Sequence, residues 1–402
     1  MTKTPQHNVP ELRFPEFEGE WEEKKLGEVS NKLTYGLNAA ATDFDGENAY
    51  IRITDINEKN RQININKLTS PSNYSEEYLV ENNDILFART GASTGKTYIH
   101  NAKKDLKFYY AGFLIKSKVK EGYSSEFIYQ NTLTNKYNNW VDVMSVRSGQ
   151  PGINSKEYSK FNIYFPSFNE QQKIGEFFSK LDHQIELEEK KLELLEQQKK
   201  GYMQKLFSQE IRFKDNKGNN YPDWKIVEIG DVLEERTERS GEGDMLSVTI
   251  NNGIIKFDEI DRKDNSSKDK SNYRKVYKDD IAYNSMRMWQ GASGKSEYEG
   301  IVSPAYTVTI PSENINPDFI AYYFKTHKMI HKFKINSQGL TSDTWNLKYR
   351  QLKDIKLNLC SKEEQNKIAN LLIMYDKLIN KQKHKLEILK TNKKGFLQKM
   401  FV

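Results

Sequence analysis

The chain contains a single cysteine, Cys360, among its 402 residues. One cysteine can form no internal disulfide and supplies no thiolate cage for a metal, which fits a reducing compartment and predicts a cytoplasmic protein. No apolar run approaches the roughly 18 residues that a membrane span needs, and the opening MTKTPQHNVP lacks the layout of a secretory signal. We therefore expect neither secretion nor membrane insertion.

Apolar residues are scarce as well. Hydrophobic residues make up 36% of the chain, and glycine raises the apolar share only to about 42%, below the roughly 45–50% of typical globular proteins. Aromatic residues, at 12%, still argue against a disordered chain. A net charge of +6 is too small to establish a polyanionic partner. The length predicts two or three domains.

Motifs that carry catalysis are missing. We find no Asn/Asp-Pro-Pro-Tyr/Phe string of an amino-methyltransferase, no Gly-x-Ser-x-Gly elbow and no metal-ligand spacing. His327 and His331 stand at helical spacing but lack the glutamate of a zinc-protease helix. One weak alternative is a metal-dependent endonuclease site of Asp223, Asp261 and Lys263, which has no counterpart in the other half of the chain. We predict no catalytic residues and no metal.

The sequence contains an internal repeat. An opening LRF at 12–14 returns as IRF at 211–213, and residues 170–207 align without a gap with residues 364–401. In that alignment 16 of 38 positions are identical, and the segments end in KKGYMQKLF and KKGFLQKMF. A repeat of this length predicts two structurally equivalent halves.

Between the constant segments lie two variable stretches, 30–165 and 233–360, with short alternating runs separated by Asn, Gly, Ser and Asp turns. Such runs predict strands. The predicted fold class is α+β, with two pseudo-symmetric mixed α/β domains joined by two long antiparallel coiled-coil helices. We place the boundaries at 1–168 (first domain), 169–210 (central helix), 211–362 (second domain) and 363–402 (distal helix).

Both constant segments carry a coiled-coil seam, because apolar residues recur at alternating steps of four and three. The predicted helix-pair interface consists of Ile185, Glu188, Leu192, Leu195 and Lys199 of the central helix with Ile379, Gln382, Leu386, Leu389, Lys393 and Phe396 of the distal helix. An alternative is that each helix packs on its own domain.

The polar seam positions favour antiparallel pairing. Parallel helices would place Lys199 against Lys393, a buried like-charge layer, whereas an antiparallel register places Glu188 opposite Lys393 and Lys199 opposite Gln382. Net charges of −1 for 169–207 and +5 for 363–401 also favour the pair. The seam would span roughly 48 Å at about 1.5 Å per residue, so the helices would act as a spacer.

Two strings inside the variable stretches, DILFARTGASTGK from Asp84 and DIAYNSMRMWQGASGK from Asp280, each run from a strand into a small-residue loop that ends in lysine. The glycine spacing does not fit a nucleotide-binding loop. The cations Arg89 and Lys96, or Arg287 and Lys295, suit DNA phosphates or guanine edges. The alternative is an ordinary glycine-rich turn with solvated cations.

Taken together, the paired openings, the DILFARTGASTGK strand and loop, and the helices beginning NEQQKI and EEQNKI resemble the specificity (S) subunit of type I restriction-modification systems over essentially the full length. The resemblance implies two target recognition domains, each reading one half of a split DNA site, and helices that dock two modification subunits. It also implies a non-catalytic chain: S-adenosylmethionine, ATP and Mg are expected in the modification and restriction subunits, of which two copies each are expected.

The resemblance carries over to the two loops as a candidate DNA surface. Its residues are Arg89, Thr90, Gly91, Ser93 and Lys96 in the first domain and Arg287, Trp289, Gly291, Ser293 and Lys295 in the second. A coiled-coil protein-interaction adaptor without a DNA role stands beside the endonuclease as an alternative function.

Overall fold

The computed structural model describes residues 8–58, 60–101, 106–146, 149–259 and 268–402. The chain forms two compact units: residues 1–189 with 384–402, called unit 1, and residues 190–383, called unit 2. Among the described residues, every helix is too short or too polar to cross a membrane.

Unit 1 is a mixed helix and sheet structure. Its strands are β1 (Glu22–Lys25), β2 (Ser30–Tyr35), β3 (Ala41–Asp43), β4 (Asn48–Ile51), β5 (Thr69–Pro71), β6 (Ile85–Ala88), β7 (Thr97–Ile99), β8 (Lys107–Tyr110), β9 (Leu114–Val119) and β10 (Asn162–Phe165). Its helices are α1 (Leu26–Val29), α2 (Ser125–Asn131), α3 (Asn135–Met144), α4 (Ser155–Tyr158) and the first part of α5 (Phe168–Phe207).

The main sheet of unit 1 has the antiparallel order β2-β9-β6-β7. Strand β6 is buried along its whole length because Ile85 and Phe87 face one apolar cluster while Leu86 and Ala88 face another. The described residues of unit 1 also form three two-stranded sheets: β1 with β10 and β3 with β5, both antiparallel, and β4 with β8, parallel. The two faces of β6 thus place the following loop at the edge of a rigid core.

Unit 2 repeats the main sheet of unit 1 and the pairing of its first and last strands. Its strands are β11 (Lys225–Glu228), β12 (Leu233–Glu235), β13 (Leu246–Thr249), β14 (Gly253–Lys256), β15 (Arg274–Val276), β16 (Ile281–Asn284), β17 (Ser293–Lys295), β18 (Gly300–Val302), β19 (Tyr306–Pro311) and β20 (Lys356–Leu359). Its helices are α6 (Pro317–Phe324), α7 (His327–Asn336), α8 (Tyr349–Leu352) and most of α9 (Lys362–Lys399). The sheet order β12-β19-β16-β17 matches that of unit 1, and β11 pairs with β20 as β1 pairs with β10.

The repeated Glu-Gln pair at the start of each long helix anchors the helix to its domain. In unit 1 the guanidinium of Arg13 donates two hydrogen bonds, of 2.8 and 2.7 Å, to the buried carboxylate of Glu170. Gln171 accepts from the backbone N–H of Ser124, the N-cap of α2, at 3.0 Å. The N-terminus of α5 is therefore fixed to both the opening segment and α2.

Unit 2 uses the same anchors in the same places. Arg212 donates to the buried Glu364 at 3.1 and 2.8 Å. Gln365 accepts from the N–H of Asn316, the N-cap of α6, at 2.8 Å. The repeated sequence is thus conserved between the halves because it makes the same tertiary contacts twice.

The C-terminal ends of the long helices complete the opposite domain's core. Phe207, at the end of α5, stacks on Tyr323 of unit 2 with ring centroids 4.8 Å apart. Phe401, just beyond α9, packs on Phe127 of unit 1 at 5.2 Å. Each unit therefore contains the start of one long helix and the end of the other.

Within each unit the two helix segments run antiparallel. In unit 1, Phe177 packs on Phe396 at 5.2 Å, while Glu189, further along α5, pairs with Lys390, earlier in α9. In unit 2, Tyr202 packs on Tyr375 at 5.5 Å. Of the predicted interface residues, Ile185, Ile379, Gln382 and Leu386 are buried, and Glu188, Leu192, Leu195, Lys199, Leu389, Lys393 and Phe396 are half-buried.

The predicted register of this pair is wrong. Lys393 donates to Asp182 at 2.5 Å instead of to Glu188, which pairs with Lys385. Lys199 donates to Asp376 at 2.6 Å, a carboxylate at the position equivalent to Asp182. The long lysine side chains reach past the seam to these neighbouring carboxylates, so the seam residues alone did not determine the pairing.

Candidate nucleic-acid interface

The first glycine-ended loop leaves β6 and returns through β7. Gly95 has φ +87°, and a Cβ there would lie 2.5 Å from a methyl group of Val141, so the tight turn requires glycine. Two buried hydroxyl groups hold the loop: Tyr137 donates to the Gly95 carbonyl at 3.0 Å, and Tyr158 donates to the Ala88 carbonyl at 2.7 Å. The loop is therefore preorganised by the domain behind it.

The outer side of this loop presents a cation on an aromatic ring. The guanidinium of Arg89 lies 4.9 Å from the ring centre of Tyr35. The backbone N–H of Arg89 donates to the backbone carbonyl of Phe113, a residue that is 62% exposed. Thr90 pairs with Gly152, and the Gly91 N–H donates to Pro151 at 3.0 Å. These contacts place a partly exposed arginine on the ring of Tyr35, in a loop whose backbone is hydrogen-bonded to that of Phe113.

Lys96 does not lie on that surface. Its side chain is 3% exposed, and its ammonium donates to the carbonyls of Ile53 and Ile56, at 3.3 and 3.0 Å, and to Glu58. Ser93 lies nearby, with its hydroxyl 3.4 Å from the same carboxylate. A DNA contact by Lys96 would have to break these contacts, so the geometry assigns it to support of the loop.

The second loop, in unit 2, follows β16 and ends at Gly291, whose φ is +84°. Arg287 is exposed and donates to the Gln290 side chain at 3.1 Å. The ring of Trp289 packs edge-on against Trp345 with centroids 5.2 Å apart, and its indole N–H donates to the Met286 carbonyl at 3.1 Å. This loop also presents an exposed arginine, in the segment that carries Trp289.

Three predicted residues of the second loop lie behind its surface. Gly291 is buried, and Ser293 is a fully buried residue of β17. Lys295 is surrounded by the carboxylates of Glu297, Asp318 and Asp279, at 2.7, 3.0 and 3.5 Å. Burial alone would lower the pKa of Lys295, but the hydrogen bonds to Glu297 and Asp318 outweigh it and raise that pKa. We therefore assign all three a structural role.

The sequence analysis missed several residues of this surface. Tyr35 and Phe113 lie far in sequence from the first glycine-ended string, and Trp345 lies far from the second. Only the fold of each unit brings these residues to that unit's own loop. On the long helices, the sequence does mark Asp182 and Asp376, the partners of Lys393 and Lys199, because both positions are aspartate at the 194-residue offset of the repeat.

Of the weak nuclease candidate, only Asp223 lies in the described part of the chain. Its side chain is fully exposed and pairs with Arg212 at 3.4 Å, whereas Asp261 and Lys263 lie outside the described residues. Within the described ranges, no group of three or more His, Cys, Asp or Glu side chains could hold a metal ion.

These features define a DNA-recognition protein with two equivalent halves. The family model of the type I restriction modification DNA specificity domain matches the chain twice, over residues 18–197 and 221–390. The chain belongs to this family and is a specificity subunit with two target recognition domains. As a specificity subunit, the chain is the recognition component of its system and not a catalytic one. The family membership supports this function and not the endonuclease or adaptor alternatives.

Individual relatives agree with this assignment. A protein of Methanocaldococcus jannaschii assigned as the MjaX specificity subunit is 24% identical over 97% of this chain and 95% of its own length. The MjaVIII specificity subunit of the same organism is 26% identical over 62% of this chain and 56% of its own length. The S subunit from M. genitalium superposes with a TM-score of 0.62 at 16% identity, covering 98% of this chain and 99% of that one, and so has the same fold.

Proposed function

We propose that each unit of this chain reads one half of a bipartite DNA site. The observation that carries this is that a partly or fully exposed arginine follows the matching sheet strand in each unit. In unit 1 the guanidinium of Arg89 lies over the ring of Tyr35. In unit 2 the guanidinium of Arg287 is hydrogen-bonded to Gln290, in the loop that also carries Trp289. An arginine held in one orientation suits the two acceptors of guanine in the major groove.

The remaining residues of the loops divide between contact and support. Thr90, Gly91 and Ser93 lie near Arg89 at the partly exposed rim. A hydroxyl group such as that of Thr90 suits a phosphate contact. The Gly91 N–H already donates to Pro151, and the Ser93 hydroxyl lies beside the carboxylate of Glu58. Lys96 and Lys295, together with Gly291 and Ser293, lie behind the loops and fix their shape. We expect substitutions at the rim to change affinity and those behind it to change loop order.

The long helices are proposed to act as a spacer and to dock two modification subunits. Support comes from apolar side chains that remain exposed on these amphipathic helices, and exposed apolar side chains often mark protein contacts. They are Leu187 and Leu194 on α5 and Met374, Leu378 and Ile388 on α9. One solved relative comes from work on complex assembly in the type I system.

Within the same proposal, S-adenosylmethionine belongs to the modification subunits, and ATP and Mg to two restriction subunits. The expected location is the cytoplasm, which the single, buried Cys360 suits.

The test is a domain exchange. Residues 30–165 are replaced by the corresponding stretch of another family member, the assembled system is expressed in a host, and the methylated sequences are mapped. One half of the recognised sequence should change and the other should stay. The control exchange of 233–360 should change the opposite half. If either exchange alters both halves, the units do not read DNA independently and the proposal fails.

A further inference from the structure

The two units hold their loops by different chemical groups. In unit 1 the loop is held by the hydroxyl groups of Tyr137 and Tyr158. Tyr137 lies three residues after the helix N-cap Thr134, and the same position after the N-cap Thr326 of unit 2 is Met329. Tyr158 lies four residues after the N-cap Asn154, and the same position after the N-cap Lys348 of unit 2 is Leu352. Neither has a hydroxyl group, so unit 2 needs another device.

Lys325 supplies hydrogen bonds at that place. It is the C-cap of α6 and precedes the N-cap of α7, where unit 1 has Leu133. Its ammonium donates to the carbonyl of Gly291, which ends the second loop, and to the carbonyl of Ile250 at 2.8 Å. Ile250 lies in the turn between β13 and β14, so one side chain joins α6, that turn and the loop.

The arrangement depends on the geometry of Gly291. Its left-handed backbone turns the chain back after the segment that carries Arg287 and Trp289, and its N–H donates to the Met288 carbonyl at 2.8 Å. A charged ammonium that donates to main-chain carbonyls forms strong hydrogen bonds, but its removal from water costs free energy. Burial accordingly lowers the pKa of Lys325 to about 8.

We propose that Lys325 is a positioning residue for DNA recognition by unit 2. It holds the loop that carries Arg287 and Trp289 against the β13–β14 turn, so that the loop meets DNA in one conformation. The proposal rests on the function proposed above for the two units and goes beyond it by naming the residue that sets the conformation of the second reader. Lys325 acts through the loop and does not itself touch a base.

The test compares Lys325→Met with Lys328→Met in the full chain. Both lysines line the same cavity of about 810 Å³ in unit 2, but Lys328 is exposed, so its variant removes a charge without removing the contact to the loop. In Lys325→Met, amide hydrogen exchange of residues 285–292 should rise at least about tenfold, with β16 and β19 unchanged. Lys328→Met should leave the exchange of the loop as in the parent chain.

The assembled system then gives a readout that a merely structural residue would not move. In a host expressing Lys325→Met, the mapped methylation sites should become degenerate in the half read by unit 2 and stay strict in the other half. Tyr158→Phe, which removes a hydroxyl that holds the first loop, should give the reciprocal pattern. If the Met variant does not fold, Lys325→Gln replaces it. Because its amide can keep part of the hydrogen bonding, the same changes are expected in the same direction but smaller.

Three results would overturn the inference: unchanged exchange in 285–292, a rise spread evenly over unit 2, or a site that stays strict in both halves although the loop has loosened. A parent system whose methylated sites are not bipartite would instead overturn the proposed function. In that case the exchange data alone still decide whether Lys325 holds the loop.

Discussion

Replacing Arg13 by alanine removes both donors from the carboxylate of Glu170, whose side chain is only 1% exposed. Removing one partner of a buried ion pair costs about 3–5 kcal/mol, because the remaining charge stays desolvated. Glu170 lies in the first turn of α5, where the helix dipole favours an anion. We therefore expect the low end, about 3 kcal/mol, for unit 1.

The repeat provides a matched variant in unit 2. Arg212→Ala exposes Glu364 to the same loss, but the indole N–H of Trp224 still donates to that carboxylate at 3.2 Å. The equivalent nitrogen of Trp21 is buried without a partner in the described part of unit 1. The remaining hydrogen bond to a charged group is worth about 1.5 kcal/mol, the low end for such bonds, so Arg212→Ala should cost only about 1.5 kcal/mol.

Amide hydrogen exchange of the central strands measures each unit separately, which a single melting temperature would not. Exchange in β6 should rise more than about 100-fold in Arg13→Ala, and exchange in β16 should rise about 5- to 30-fold in Arg212→Ala. Equal effects in the two variants, or a larger effect of Arg212→Ala, would refute the assignment of the extra indole donor. A change in the unit that was not mutated would refute the locality of the anchor.

Three further predictions concern unit 1. Burial lowers the pKa of His100 from 6.5 to about 4, so as the pH falls the unfolded chain takes up a proton before the folded chain does. The free energy of unfolding of unit 1 should therefore fall by up to about 3 kcal/mol between pH 6.5 and 4. Urea unfolding of His100→Gln should show a smaller fall over the same range. In a double-mutant cycle, Asp182→Ala and Lys393→Ala should couple by about 1 kcal/mol, whereas Glu188→Ala and Lys393→Ala should be additive; the opposite result would restore the predicted register. Gly95→Ala should cost about 2–3 kcal/mol in thermal or chemical unfolding because of its φ and the contact with Val141, and a neutral result would mean that the turn can relax.

The sequence predicted the helices and their orientation because those features repeat. Residues 170–207 and 364–401 share the Glu-Gln start and a final phenylalanine, and both ends make the same tertiary contacts in the two units. The antiparallel order followed from the cost of opposing Lys199 with Lys393. The exact partners did not follow, because Asp182 and Asp376 lie just outside the seam that periodicity defines.

The loops were predicted as strand-to-turn segments, and β6 and β16 occupy those positions. What sequence could not determine is which of their cations face outward. Lys96 is enclosed by the Ile53–Glu58 segment, and Lys295 by Asp318 of α6, both distant in the chain. Spacing within a motif carries no information on such neighbours, so only the fold separates Arg89 from Lys96.

The docking of Phe401 beside Phe127 also bears on how the protein folds during synthesis. Unit 2 is one continuous stretch, 190–383, and can close as soon as that stretch has left the ribosome. Unit 1 begins earlier in the chain but must wait for residues near 400 before its apolar centre is filled. Unit 1, which is translated first, should therefore finish folding last. Nascent chains that stop before Phe401 should contain a folded unit 2 and an incompletely folded unit 1.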